Sequence, residues 1–88
     1  MTLNVYSIKD SKAGTFSNPY YSINDSTAIR SFEQAAADPS TTISQFPTDY
    51  SLYKLGTFDD SSGTISRLDD GTPLFVANPT TKKEAPTA

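Results

Sequence analysis

The stretch Asp49–Gly63, DYSLYKLGTFDDSSG, carries the strongest structural signals in the chain. Its first part, Tyr50–Phe58, alternates imperfectly and has apolar side chains on both faces of an extended strand. This pattern is typical of a central strand covered on both sides, or of a strand with a β-bulge at Gly56. In the second part, Asp59–Gly63, aspartate is typical of the first position of a turn, and Gly63 occupies a position that requires a positive φ. The stretch therefore predicts a strand that ends in a hairpin connection.

The chain after this hairpin contains two more strand signals. Thr64–Leu68 (TISRL) predicts the return strand, a second turn follows at Asp69–Gly71, and Pro73–Asn78 (PLFVAN) predicts a last short strand. Residues 79–88 contain no apolar side chain larger than alanine. We therefore expect one domain over residues 1–78 and a flexible C-terminal tail over residues 79–88.

The chain before the hairpin predicts one strand and one helix. Leu3–Asp10 (LNVYSIKD) is rich in β-branched and aromatic residues, as strands are. Asn24 or Asp25 can cap a helix, because each side chain accepts hydrogen bonds from the free N–H groups of a first turn. The apolar residues of Ser26–Ala37 then form one stripe at helical spacing, and the residue before Pro39 disfavours helical geometry.

Two polar segments between these elements are predicted to be loops, residues 11–25 and residues 39–49. In the second loop we expect Ile43 and Phe46 to pack against the core. The order of elements is then β-α-β-β-β. It predicts an α+β fold with one helix packed on a small, mostly antiparallel sheet of 3–4 strands.

Composition excludes several kinds of site. The chain has 88 residues, no cysteine and no histidine, so disulfides, thiolate metal sites and histidine catalysis are absent. No nucleophile or phosphate-binding motif is present, and we expect a non-enzymatic protein without a cofactor. Asp59–Asp60 and Asp69–Asp70 flank the return strand. They suit a hard cation only if they meet in space, and the alternative is that they initiate turns.

The ends of the chain and its hydropathy bear on location. The residues after Met1 lack the basic start and apolar core of a signal peptide. No apolar run approaches the roughly 20 residues that span a bilayer. We therefore expect no membrane partner and a location in the cytoplasm.

Charge and aromatic residues bear on the binding partner. The net charge is −3, which gives no overall attraction for nucleic acid, so DNA binding requires a local basic face or aromatic stacking. Aromatic residues in the first loop lie near lysines, which suits single-stranded nucleic acid. The alternative is that Phe16 and its neighbours complete a thin core; Tyr20 and Tyr21 are adjacent and can hardly both face inward. The candidate nucleic-acid-binding residues are Lys9, Lys12, Tyr20, Tyr21, Arg30, Lys54 and Arg67.

The ordered segments resemble one family. These segments are VYSIKDSKAG, then ND opening a helix with AIRSFEQAAADPST, then FPTDYSLYKLGTFDDSSGTI, and last a short apolar segment. Together they span about Val5 to Ala77. They resemble the small non-structural protein of gokushovirus-type microviruses, which are single-stranded DNA phages. The resemblance implies a role in phage DNA replication, at the switch toward single-stranded genome synthesis and packaging, and it implies DNA binding. It assigns no catalytic or binding residue.

Two functions follow as expectations. The first is a phage accessory protein that binds single-stranded DNA. The second is an adaptor that contacts phage or host replication proteins, or regulates capsid assembly, without binding DNA. In both cases we expect a protein of the host cytoplasm that is not a major virion component, and a homodimer is compatible with the short chain. Clustering of the cations on one face with the tyrosines would favour binding of single-stranded DNA. Scattering of the cations among the aspartates would favour the adaptor function.

Overall fold

The computed structural model describes residues 1–68 and 74–77, and these residues form an α+β fold, as predicted. The strands are β1 (Thr2–Asp10), β2 (Thr15–Phe16), β3 (Tyr20–Ser22), β4 (Tyr50–Asp59), β5 (Thr64–Arg67) and β6 (Leu74–Ala77). The helices are α1 (Asp25–Ala37), a short α2 (Thr42–Gln45) and one 3-10 turn (Pro47–Asp49).

All strand pairs are antiparallel, and the two long strands β1 and β4 lie side by side in the centre of the sheet. The short strands β2 and β3 both pair with the outer edge of β1, at different points along it. In the same way β5 and β6 both pair with the outer edge of β4. The sheet is therefore four strands wide, although six strand segments build it.

The pairing of β1 with β4 contains a bulge beside Gly56. Val5 faces Gly56 and Tyr6 faces Lys54, so Leu55 is the extra residue. The bulge predicted at Gly56 thus lies one residue earlier. Glycine is needed at position 56 because a Cβ there would lie 2.0 Å from the backbone oxygen of Ser66 on β5. The bulge and the glycine together let β5 approach β4 closely.

Helix α1 covers one face of the sheet and closes the core. Its N-cap is Asn24, whose side chain accepts a hydrogen bond from the Thr27 N–H at 2.8 Å. The helix ends at Ala37 because Asp38, which precedes a proline, adopts an extended conformation. The core joins both central strands to the helices through Tyr6, Ala28, Phe32, Ile43 and Leu52.

Several sequence predictions need correction. The predicted loop 11–25 contains β2 and β3, and the predicted loop 39–49 contains α2 and the 3-10 turn. Ile43 is buried as expected, but Phe46 is 56% exposed, because its backbone leaves helical geometry at the end of α2. The predicted turn at 69–71 and the tail 79–88 lie outside the described residues.

No helix in the described part of the chain is long and apolar enough to cross a membrane.

Candidate functional site

One face of the sheet carries no covering layer within the described residues, and we call it the open face. Alternate residues of a strand point to opposite faces, so the cross-strand neighbours of Tyr6 and Leu52 lie on the helix side. The intervening residues form the open face. They include Val5, Lys9, Phe16, Tyr21, Tyr53, Phe58, Ile65 and Arg67.

The first aromatic pair on the open face consists of Phe16 on β2 and Tyr53 on β4. Their ring centroids lie 5.6 Å apart with an interplanar angle of 82°, an edge-to-face contact across β1. The Lys9 ammonium lies 5.8 Å from the Phe16 ring centroid and 6.0 Å from that of Tyr53. Because this cation lies over both rings, we call Phe16 and Tyr53 the capped pair.

The second aromatic pair consists of Tyr21 on β3 and Phe58 on β4. Their ring centroids lie 5.5 Å apart with an interplanar angle of 46°. The pair also spans β1, and Val5 beside it is only 7% exposed, whereas Tyr21 keeps 49% of its surface exposed. No cation lies over these rings in the described part of the chain. We call Tyr21 and Phe58 the open pair.

The connection between β2 and β3 fixes both pairs against β1. The buried Ser7 hydroxyl donates to the backbone oxygen of Ser17 at 2.7 Å, and the Ser17 N–H donates to the Ile8 carbonyl at 2.8 Å. These bonds hold the chain beside β1 where the two short strands separate. Phe16 and Tyr21 are thereby positioned by backbone contacts rather than by a helix.

Charge is divided between the two faces of the sheet. Lys9 and Arg67 lie on the open face, and none of the described strand residues on that face is acidic. The strand aspartates Asp10 and Asp59 alternate to the helix side. There, Asp25 of α1 pairs with Lys54 at 3.5 Å. The charged strand residues that the structure describes on the open face are therefore all cations, although the chain as a whole is acidic.

A buried polar network on the helix side involves two tyrosines. The Tyr6 hydroxyl donates to the Asp25 carboxylate and accepts from the Asn4 amide at 3.0 Å. Burial, reinforced by the bond to Asp25, raises the pKa of Tyr6 to about 12. The Tyr20 hydroxyl donates to the Ala28 carbonyl at 3.0 Å, and burial raises its pKa as well. Both tyrosines therefore tie the sheet to α1.

The sequence matches one family model over most of its length. The model is described as Phage ORF5 protein, and it matches residues 3–81. The chain belongs to the Phage ORF5 family. It is therefore a phage protein. No curated protein and no solved structure matches it significantly.

The open face of this Phage ORF5 protein brings together only some of the predicted site residues. Lys9, Tyr21 and Arg67 lie on it. Tyr20 and Lys54 lie on the helix side, so the adjacent tyrosines do point to opposite faces. The predicted cations therefore do not gather on one face with the tyrosines, and three of the five lie on the helix side.

The remaining two predicted residues lie away from the open face. Arg30 is exposed on α1. Lys12 lies in the turn after β1, where it lines a cleft of about 400 Å³ together with Asp10, Phe46, Asp49 and Tyr50. Lys12 therefore lies near the acidic residues Asp10 and Asp49.

Three aromatic residues of the open face are not among the candidate residues predicted from the sequence: Phe16, Tyr53 and Phe58. Phe16 is 41% exposed and does not complete a thin core. The signal that identifies them is strand alternation. In β4, Tyr53 is out of phase with the buried Leu52, and the bulge at Leu55 returns Phe58 to the same face as Tyr53.

The aspartates of the opening hairpin stabilise a turn. Asp59 accepts from the Ser61 N–H at 3.0 Å, and its carbonyl accepts from the Gly63 N–H at 2.8 Å, where Gly63 has a φ of 76°. The Asp60 carboxylate pairs with the N-terminal ammonium of Met1 at 2.8 Å. Within the described residues no group of three or more potential ligands could hold a metal ion. Asp69–Asp70 lie outside them.

The raised pKa of Tyr6 predicts a loss of stability at alkaline pH. The folded state favours the protonated phenol, so the stability it contributes is complete below pH 10 and is lost as the pH rises toward about 12. Two pKa units correspond to about 3 kcal/mol. We expect urea denaturation to show this decline in the wild type.

A Tyr6→Phe variant separates this effect from general alkaline unfolding. It should be less stable near neutral pH, by about 1–3 kcal/mol, because Asp25 loses a hydrogen-bond donor. It should also show a smaller alkaline decline. Tyr21→Phe, which changes an exposed tyrosine, is the matched control and should keep the wild-type profile. A full alkaline decline in Tyr6→Phe would assign the effect to another group.

Proposed function

We propose that this phage protein is a non-enzymatic accessory protein that binds single-stranded DNA through its open face. The observation that carries the proposal is an uncovered sheet face with two aromatic pairs, two cations and no acidic strand residue in the described part of the chain. Aromatic rings stack on the faces of unpaired bases, and lysine and arginine neutralise phosphates.

Single strands suit this surface better than a duplex. Only unpaired bases expose the ring faces that Tyr21 could stack against, whereas duplex bases stack on one another. The open face of a twisted sheet also presents no helix or two-stranded ribbon to enter a major groove. The proposed ligand therefore follows from the aromatic residues, and the cations add affinity without sequence preference.

The net charge of −3 is compatible with this surface. Fields of exposed charges are screened over about 10 Å at 0.1 M salt, so the helix-side carboxylates act weakly across the sheet. Lys9 lies directly over the rings of the capped pair. A bound strand would therefore meet Lys9 before it meets an aspartate of the described strands.

The biological setting is proposed from the family resemblance. We assign the protein to gokushovirus-type microviruses and to viral DNA replication or single-stranded genome synthesis and packaging. Such a protein would act in the host cytoplasm and would not be a major virion component. Membership of the Phage ORF5 family supports the phage setting.

Binding of a fluorescent single-stranded oligonucleotide, followed by anisotropy across a salt series, tests the proposal. We expect saturable binding, with log K falling against log salt by about 0.7 for each phosphate neutralised. A duplex of the same sequence is the control and should bind more weakly. Absence of binding even at low salt would reject the DNA-binding proposal.

An adaptor that binds a phage or host replication protein is the second candidate. It is favoured by Ile65, which is 65% exposed at the edge of the open face, and by the dispersed cations. Under this alternative Ile65→Ser would abolish capture of a replication protein from infected cells. Under the DNA-binding proposal Ile65→Ser would weaken oligonucleotide binding less than Tyr21→Leu, because Ile65 offers no ring to stack on a base.

A homodimer would use a surface other than the open face. Two open faces packed together would bring Lys9 of both copies into one interface that contains no acidic strand residue from the described chain. Burial of like charges without partners is costly. A second copy would more readily add to an exposed edge strand such as β5, whose residues are all exposed. Light scattering on the anisotropy sample measures whether the protein is a monomer or a dimer.

A further inference from the structure

We propose that the two aromatic pairs of the open face divide the work of binding: the capped pair holds a phosphate through Lys9, and the open pair stacks a base. This inference rests on the proposed function and specifies it further. It predicts which part of the affinity depends on salt and which part depends on bases. It also sets a minimum length for the strand.

The capped pair is unsuited to stacking because its rings are already occupied. Lys9 lies within 6.0 Å of both ring centroids, and the edge-to-face geometry of Phe16 and Tyr53 offers no common flat surface. A base that stacked there would first displace the ammonium group. The same contacts restrict the lysine side chain, so less rotamer entropy is lost when its charge meets a phosphate. Phe16 and Tyr53 thus act as positioning residues for Lys9.

The open pair has the opposite character. Tyr21 is 49% exposed and no cation covers it in the described part of the chain. Phe58 supports the Tyr21 ring from one side, at 5.5 Å between centroids. The buried Val5 beneath the pair prevents the rings from collapsing into the sheet. Tyr21 therefore presents a fixed ring to a base.

The separation of the two pairs determines the size of the ligand. Phe16 is paired with Lys9 and Tyr21 with Val5, four residues apart along β1, which is about 13 Å at 3.3 Å per residue. Stacked nucleotides advance about 3.4 Å each along one strand, so 13 Å corresponds to about four of them, and to fewer in an extended strand. A mononucleotide cannot reach both pairs. The strand must run along β1.

Two single variants test the division of work. Lys9→Ala should reduce the salt dependence of log K by about 0.7, the contribution of one phosphate contact on a single strand. Tyr21→Leu should weaken binding about 5- to 100-fold without changing that dependence, because stacking involves no counterion release. Lys9→Arg and Tyr21→Phe should restore the respective properties. Thermal unfolding of each variant checks that it is folded.

Oligonucleotides of different length and composition provide the second readout. Thymidine oligonucleotides of one to eight nucleotides should show a steep rise in affinity at about three to four nucleotides. An octanucleotide with abasic sites should bind the wild type and Tyr21→Leu with equal affinity. The salt dependence of its binding should still be smaller for Lys9→Ala than for the wild type. Lys12→Ala and Phe46→Leu are the matched controls on the helix-side cleft.

The outcomes separate this inference from the proposed function. If no oligonucleotide binds, DNA binding itself is rejected. If the octanucleotide binds but Lys9→Ala keeps the full salt dependence, or Tyr21→Leu weakens abasic and normal strands alike, the division of work is wrong while DNA binding stands. A smooth rise of affinity from one nucleotide onward would reject the 13 Å separation as the basis of length dependence.

Discussion

A Lys9→Ala/Tyr21→Leu double variant should lose about 100-fold or more of its affinity for a single-stranded octanucleotide. Stacking of one base contributes about 1–3 kcal/mol, and 1.4 kcal/mol corresponds to a factor of ten. The two side chains lie far apart on the face and share no contact partner among the described residues. Their effects on the free energy of binding should therefore add, so that the two factors by which affinity falls multiply.

The chain offers a matched control for this double variant. Lys12→Ala/Phe46→Leu also removes one lysine and one exposed aromatic ring, but from the cleft on the helix side. Net charge and the loss of apolar surface are thus similar in the two double variants. We expect the control to bind within about threefold of the wild type, a change below 0.7 kcal/mol.

Both double variants should fold, because none of the four side chains belongs to the buried core. Circular dichroism and thermal unfolding of each protein check this before anisotropy is measured. Equal losses in the two double variants would mean that binding follows total charge and exposed apolar surface. In that case the open face would have no special role.

The main elements of the fold could be predicted because their signals are local. The hairpin from β4 to β5 follows from an aspartate and a glycine at a turn, and α1 follows from a capping asparagine and a stripe at helical spacing. Strands β2 and β3 could not be predicted, since two or three residues show no periodicity. They are strands because the long edge of β1 offers hydrogen-bonding partners.

The candidate site could be predicted only in part, because the exposure of a strand side chain depends on whether helices cover one face of the sheet or both. The apolar residues on both faces of β4 suggested a strand covered on both sides, but α1 and α2 cover one face only in the described chain. Lys9 and Tyr21 are predicted because aromatic residues of the first loop lie near lysines, and both lie on the open face. Tyr20 is predicted on the same ground and Lys54 as one of the cations, and both lie on the helix side. The face of each residue follows only from the alternation of β1 and β4 around the buried Tyr6 and Leu52.

The exposure of Phe46 follows a local signal. Ile43 and Phe46 are both expected to pack against the core, but only Ile43 is buried. Helix α2 ends at Gln45, and Phe46 has a φ of −134° and a ψ of 60°. Phe46 precedes Pro47, and the residue before a proline disfavours helical geometry, as Asp38 also shows. The end of α2 is therefore set by its own sequence.

Phe32→Ala should have the largest effect on stability of any single change in α1. Phe32 is 1% exposed and contacts the core residues of both central strands, so truncation leaves a cavity beneath the only long helix in the described chain. Changes of buried Phe to Ala cost about 3–5 kcal/mol. Domains of this kind have a total stability of about 5–15 kcal/mol, and a small core places this chain toward the lower end.

The expected result is a protein that is largely unfolded, or that unfolds far below the wild-type temperature, in urea and thermal denaturation followed by circular dichroism. Phe46→Ala is the matched control: the same side chain is removed, but from a position 56% exposed, so the loss of unfolding free energy should stay below about 1 kcal/mol.

Since α1 packs on the side opposite the open face, loss of α1 packing should abolish oligonucleotide binding only by unfolding the sheet. Binding by Phe32→Ala should therefore return under conditions that restore its fold without raising the salt concentration, such as added sucrose. A Phe32→Ala protein as stable as Phe46→Ala would show that α1 is not what closes the core.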